Sequence, residues 1–300
     1  MNAARVPRVV LVTRPTELER LVARHGTRAQ AEFFLKTRAQ SMAEIEARHA
    51  AFERALATAS NAIPAAWRRN RIDRAELDRF LFAPDDIIVA LGQDGLVANV
   101  AKYLAGQPVI GLNPAPELNE GVLVPHRPEA AAELLQLAAA GRGTYQERTM
   151  VEAALDDGQH LVALNEIFVG HRSHQSARYR IRWGEASERH SSSGLITATG
   201  TGASGWARSI LRERAHKLAL PAPASGELVF FVREAWPSVA TGTTISQARM
   251  PAGSSLEVVS EMDDDGAIFG DGIESDRLEF GWGRRVTLRT AEQRLRLLVG

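Results

Sequence analysis

Asp85-Asp86-Ile87-Ile88-Val89-Ala90-Leu91-Gly92-Gln93-Asp94-Gly95 is the stretch on which the fold of this chain turns. Ile87 to Leu91 is an unbroken apolar run that starts with β-branched residues, which reads as a short strand buried on both faces. A polar turn with two glycines follows, then a helical run from Leu96 to Ala105. Strand, tight turn and helix in that order make the repeating unit of a parallel α/β domain. Glycines at such a turn let backbone N–H groups come close to a phosphate, and the helix start adds positive partial charge. Asp94 is a carboxylate in the same turn. It is suited to accept a proton from a hydroxyl or to help hold a metal ion, and equally to act as a plain helix cap.

Upstream, Arg8 to Thr13 reads as a first buried strand stopped by Pro15, and Glu17 to Gly26 as a helix ending in glycine. From Thr27 to Ser60 almost nothing breaks a helix. Leu35, Met42, Ile45, His49, Phe52 and Leu56 form an a/d stripe, so one long helix is expected, packed on its own domain or used for dimerisation. Downstream, Pro108 to Asn113 reads as another strand and Arg127 to Ala140 as another helix, which completes an α/β domain over residues 1–146. The texture then changes. HLVALNEIFVG (160–170), ARYRIRW (177–183), LITAT (195–199), ELVFFV (227–232), SLEVVS (255–260) and RRVTLRT (284–290) read as strands, with one helix in WARSILRERAHKLA (206–219). Residues 147–300 are therefore expected to form a β-rich domain, whose last strand is a candidate to return to the first domain.

The chain has 300 residues, with 36 Lys+Arg against 36 Asp+Glu. Zero net charge argues against a non-specific nucleic-acid binder. The absence of cysteine excludes disulfides, thiolate metal sites and a cysteine nucleophile. No apolar run approaches the ~20 residues of a membrane span. A cytoplasmic protein without membrane or nucleic-acid partners is expected.

Three other constellations stand out. Gly200-Thr201-Gly202-Ala203-Ser204-Gly205 matches G-x-G-x-x-G between a strand and a helix. It lies in the β-rich half, and no acidic residue closes a following strand at about 20 residues, as a dehydrogenase fingerprint requires. The hydroxyls of Thr197, Thr199, Thr201 and Ser204 suit a ribose, base or phosphate. Asn165-Glu166 interrupts an apolar run and would be costly in a buried strand, so a strand end facing a ligand is expected. Asp263-Asp264-Asp265 before Gly266 reads as a solvated turn rather than a metal site, and the histidines have no ligand spacing.

Taken in order, GQDG at 92–95, LNE at 164–166, ATGTGASGW at 198–206 and Gly-Asp-Gly at 270–272 resemble the NAD kinase family over roughly residues 85–290. PVIGLNPAPELNEGVLVP (108–125), SARYRI (176–181), SSGL (192–195) and FFVREAW (230–236) are similar to its mitochondrial-type branch. The resemblance implies a Rossmann-like α/β domain followed by a β-sandwich-like domain. It implies transfer of the γ-phosphoryl group of a nucleoside triphosphate to the 2′-hydroxyl of the adenosine ribose of NAD. Asp94 would be the base, and Gly92, Gln93 and Gly95 would line the donor-phosphate turn. Asp94, Gly95, Asn165, Glu166, Thr199, Thr201, Ser204, Gly205, Trp206 and Ser209 would bind NAD. Magnesium would enter on the phosphates of ATP or another donor, with no metal held by protein ligands alone, and a homodimer or higher homo-oligomer is implied.

Gln93 and Leu96 depart from the family's Gly and Thr. If position 93 needed positive φ, Gln93 would cost ~1 kcal/mol, and Leu96 offers no hydroxyl. A modified donor pocket is expected. An inactive NAD-binding regulatory homologue and a lipid or small-molecule kinase sharing the Gly-Asp-Gly turn are the alternatives.

Overall fold

The structure is a computed structural model that describes residues 6–214 and 218–300. It divides into two units, Met1–Tyr103 with Gln107–Gln146 and Arg296–Gly300, and Leu104–Gly106 with Glu147–Leu295. The first is mixed α/β and the second is β-rich.

The first unit contains β1 (Arg8–Thr13), α1 (Glu17–His25), α2 (Arg28–Lys36), α3 (Met42–Asn61), β2 (Arg68–Asp73), β3 (Asp86–Leu91), α4 (Asp94–Ala101), β4 (Pro108–Leu112) and α5 (Ala131–Ala139). The strands are parallel in the order β2-β1-β3-β4, and Arg296 and Leu297 pair in parallel with Pro108 and Val109 beyond β4. The register aligns Val12 with Ala90 and Leu91 with Leu112, so β1, β3 and β4 end along one edge. The chain leaves β1 towards β2 on one side and returns to β3 on the other. The carboxyl ends of β1 and β3 thus form the sheet's switch point, where open α/β sheets hold ligands. Val9, Leu11, Ile87, Val89, Leu91, Ile110 and Leu112 make the core with Leu56 of α3 and Leu134 and Leu135 of α5.

One expectation needs correction here. The helix over Thr27–Ser60 is two helices, because the chain turns at 37–41 and Ala39 takes φ +53°. The break lets Leu35 of α2 pack in one cluster with Met42 and Ile45 of α3 and with Leu18 and Leu21 of α1. A straight rod would have strung these residues out along its length. Meanwhile Leu56 packs on the parallel sheet. β2 gives no strand signal in sequence: of RRNRID only Ile72 is buried, and the strand exists because β1 offers a free edge to pair with.

The second unit contains most of β5 (Tyr145–Leu155), then β6 (His160–Ala163), β7 (Glu166–His171), β8 (Ala177–Trp183), β9 (Ala186–Ser192), β10 (Leu195–Thr199), α6 (Trp206–Glu213), β11 (Leu228–Val232), β12 (Gln247–Met250), β13 (Ser255–Ser260), β14 (Gly266–Gly270), β15 (Leu278–Glu279) and most of β16 (Arg285–Leu298). The helix expected over 206–219 runs to Glu213, and residues 215–217 lie outside the described residues. One sheet has the order β12-β11-β10-β7-β14-β15, and β16-β13-β8-β9 pair with one another in the second. Ile167, Val169, Leu195 and Phe230 from the first sheet pack with Tyr179, Ile181, Val258, Val286 and Leu288 from the second. The strict alternation of β8 follows from this, since one face is in the core and the other in water. Phe168, Ile196, Ala198, Val229 and Phe231 point to the opposite face and pack with Ala207 of α6.

Candidate active site

In the first unit, Leu91 ends β3 and Gln93 caps α4 from extended backbone, at φ −104° and ψ 167°. The glutamine is unstrained, so no positive φ is demanded at position 93. Gly92 and Gly95 also avoid positive φ, and a Cβ on Gly95 would meet nothing within 4 Å. Asp94 is the first helical residue rather than the cap. Its carboxylate accepts from the backbone N–H of Val122 at 3.1 Å and of Leu123 at 2.8 Å. Two of roughly four lone-pair sites are thereby used, which fixes the group's orientation and leaves the remainder free.

The loop supplying those N–H groups is held close by small residues and amides. A Cβ on Gly111 of β4 would lie 2.0 Å from the Leu123 carbonyl oxygen. Gly121 has φ +72° and stands against the Asn113 side chain. Asn113 Nδ2 donates to the Asn119 carbonyl at 3.0 Å, and Asn113 Oδ1 accepts from Ala115 N–H at 3.1 Å. Gln93 Nε2 donates to Asn119 Oδ1 at 2.9 Å, and Gln93 Oε1 accepts from Arg14 Nη2. Arg14 follows directly on β1. Neither Arg14 nor Asn119 was singled out by sequence reading, because each is an ordinary loop residue until the sheet aligns the strand ends.

In the second unit, Asn165 and Glu166 stand where β6 gives way to β7. The backbone N–H groups of Leu164 and Asn165 donate to the Asp271 carboxylate at 2.9 and 2.7 Å, and that of Glu166 at 3.4 Å. Asp271 follows β14 with φ +52°. In sequence its Gly-Asp-Gly carries only the family resemblance. Its role here is to hold the Asn165-Glu166 turn. The same carboxylate adds to burial, the larger cause, in pushing the Glu166 carboxyl up to about 7. Near neutral pH this group is both a hydrogen-bond donor and an acceptor.

The Gly200–Gly205 turn is built against that joint. Thr199 is fully buried. Its hydroxyl donates to the Leu164 carbonyl at 2.5 Å and accepts from Thr201 N–H at 3.1 Å and Gly202 N–H at 3.2 Å. A Cβ on Gly202 would lie 2.2 Å from the Asn165 carbonyl oxygen, and one on Gly200 2.2 Å from the Ala222 backbone. These glycines serve backbone packing. Thr201 is buried, with Arg148 Nη1 at 3.5 Å from its hydroxyl. Ser204, Gly205 and Ser209 are exposed. Trp206 stacks near-parallel on Phe168, with centroids 6.1 Å apart, and the Arg233 guanidinium lies 4.9 Å from its ring centre. These three residues line a 260 Å³ cavity with His171, Arg172 and Phe269. Asp263, Asp264 and Asp265 are exposed at a turn, with Arg172 paired to Asp265 at 3.0 Å.

The expected residues therefore fall into two sets. Gly92, Gln93, Asp94 and Gly95 are grouped in the first unit. Asn165, Glu166, Thr199 and Thr201 converge in the second, with Ser204, Gly205, Trp206 and Ser209 following on the start of α6. No helix among the described residues is long and apolar enough to cross a membrane.

No family model matches the chain, and no curated protein matches it. Its fold is found in solved structures. Yeast NADH kinase complexed with NADH superposes with a TM-score of 0.63 at 13% identity, covering 99% of this chain and 84% of that one. An NAD kinase from Archaeoglobus fulgidus in complex with ATP superposes with a TM-score of 0.59 at 16% identity, covering 98% of this chain and 93% of that one. The chain is thus similar in fold to NAD(H) kinases along its whole length.

Proposed function

We propose that this protein is an NAD kinase, which moves the γ-phosphoryl group of a nucleoside triphosphate to the 2′-hydroxyl of the adenosine ribose of NAD. The observation that carries the reading is Asp94, at the first position of α4 beyond a buried parallel strand and only partly buried, in a chain similar in fold to an NADH kinase and an NAD kinase. A ribose hydroxyl is a poor nucleophile at neutral pH and needs a positioned base. Asp94 takes the 2′-hydroxyl proton as that oxygen bonds to the γ-phosphorus. The bond from the γ-phosphorus to the β–γ bridging oxygen breaks, and the diphosphate leaves. Phosphoryl transfer depends chiefly on positioning and electrostatics, so no triad is required.

Gly92, Gln93 and Gly95 line the donor phosphates in this reading. Asn165 and Glu166 contact the NAD ribose region, and Ser204, Gly205, Trp206 and Ser209 surround the adenine and ribose. Thr199 and Thr201 shape the turn, in keeping with the internal bonds of the Thr199 hydroxyl. The resemblance also implies magnesium. Among the described residues no group of three or more His, Asp or Glu side chains stands ready to hold a metal. Magnesium riding on donor phosphates needs only one or two protein carboxylates, and the unused lone pairs of Asp94 fit that demand. When bound, the ion neutralises charge on the phosphates. A homo-oligomer and a cytoplasmic location belong to the same proposal.

The test is NADP formation from NAD, ATP and magnesium by the purified protein. Wild type is expected to turn over, and Asp94→Asn to lose about 10²–10⁴-fold in kcat while still binding NAD. NAD binding without turnover in wild type would favour the inactive homologue. Neither binding nor turnover with NAD would favour a kinase for another alcohol.

A further inference from the structure

We propose that Arg14, held by the Gln93 side chain, contacts the polyphosphate chain of the phosphoryl donor. This deepens the kinase reading and rests on it for the identity of the ligand. The site itself stands on the geometry of the first unit alone.

Arg14 is the residue after β1, and Gly92-Gln93 are the residues after β3. Because Val12 is in register with Ala90, both segments emerge side by side at the switch point of the sheet. There Arg14 donates to the neutral Gln93 Oε1, and Gln93 is anchored in turn to Asn119 Oδ1 at 2.9 Å. Asn119 is fixed through its carbonyl by Asn113. A relay of neutral amides therefore aims a guanidinium across the start of α4.

Arg14 is half-buried and has no carboxylate partner within ion-pair distance among the described residues. Arg20, one turn into α1, and Arg74, just beyond β2, also lack one. Burial lowers the Arg14 pKa, and the nearby charges of Arg20 and Arg74 lower it further. Elsewhere in this unit the chain pairs the partly buried Arg8 with Asp86 at 2.6 Å. At Arg14 it leaves cations together and uses an amide where a carboxylate would have neutralised them. A planar guanidinium in this setting suits a multiply charged phosphate chain. Gln93 then lines the phosphate turn through its backbone, and its side chain is a positioning group for Arg14. It stands where a glycine would offer only backbone, and it adds a grip on Arg14.

The experiment is titration calorimetry of wild type, Arg14→Ala, Arg14→Lys, Gln93→Ala and the Arg14→Ala/Gln93→Ala double variant with ATP, inorganic tripolyphosphate and NAD. Steady-state kinetics and thermal midpoints are measured alongside. Arg14→Ala is expected to weaken ATP and tripolyphosphate at least tenfold and leave NAD within twofold. Arg14→Lys should recover most of the loss. Gln93→Ala should raise donor KM several-fold with kcat and the KM for NAD kept, and the double variant should be no worse than Arg14→Ala alone, since Gln93 acts through it. Tripolyphosphate and ATP binding to Arg14→Ala within twofold of wild type overturns the proposal. So does a loss confined to ATP, which would mean contact with the nucleoside, and so does a wild type that binds neither. If wild type makes no NADP yet loses tripolyphosphate binding in Arg14→Ala, the phosphate site stands and the kinase reading falls.

Discussion

Asp94 and Glu166 are both acidic, and their surroundings give them different work. Asp94 faces two backbone N–H donors, so Asp94→Asn does more than remove the proposed base. One amide oxygen can still accept, but the NH₂ end then meets a donor, which costs about 1–3 kcal/mol. A thermal midpoint lowered in step with lost turnover is the expected pair of readouts. Glu166 is pH-sensitive through its burial. Its folded pKa of about 7 lies above the ordinary carboxyl value. Between that ordinary value and pH 7 the folded protein binds more protons than the unfolded chain, so stability from this group is present at the acid end and lost as pH rises through 7. Glu166→Gln is expected to flatten that slope, measured as the denaturant midpoint from pH 4.5 to 8. An unchanged slope would mean that the group titrates as an ordinary surface carboxylate.

Among the elements, the turn from β10 into α6 shows why glycine spacing alone misleads. Gly200, Gly202 and Gly205 match a dinucleotide fingerprint by spacing, yet Gly200 and Gly202 are small because the backbones of Ala222 and Asn165 lie against them. Gly202→Ala is therefore expected to push the Asn165-Glu166 turn off Asp271. Overpacking of this kind costs about 1–3 kcal/mol, and NAD affinity should fall while tripolyphosphate affinity holds. Calorimetry with both ligands checks this, and an equal loss of the two would point to general unfolding. The break at residues 37–41 belongs to the same scale. Its residues carry no strong breaker, so the apolar stripe continues through it on paper, whereas the packing of Leu35 with Met42 and Ile45 requires the chain to fold back.

For the whole molecule, the last strand is the telling case. Leu297 and Leu298 are fully buried, and Leu297 pairs with Val109 on the open edge of β4. Truncation after Leu295 is expected to remove about 3–6 kcal/mol of apolar burial and to bare that edge. Denaturant unfolding followed by fluorescence of Trp67, which packs in the same core, measures the loss. A midpoint equal to that of the full chain would show the pairing to be dispensable. Apolar runs such as Ile87–Leu91 and Leu228–Val232, and the alternation of β8, already marked an α/β half and a β half, because burial writes itself into hydrophobic periodicity. The order GQDG, LNE and TGTG likewise singles out Asp94, Asn165 and Glu166, on which the proposed function rests. β2, the broken helix, the Asp271 clamp and the Arg14–Gln93–Asn119 relay left no such trace. Each depends on partners dozens of residues away, and a hydrogen bond or a shared edge between distant segments has no local pattern from which it can be read.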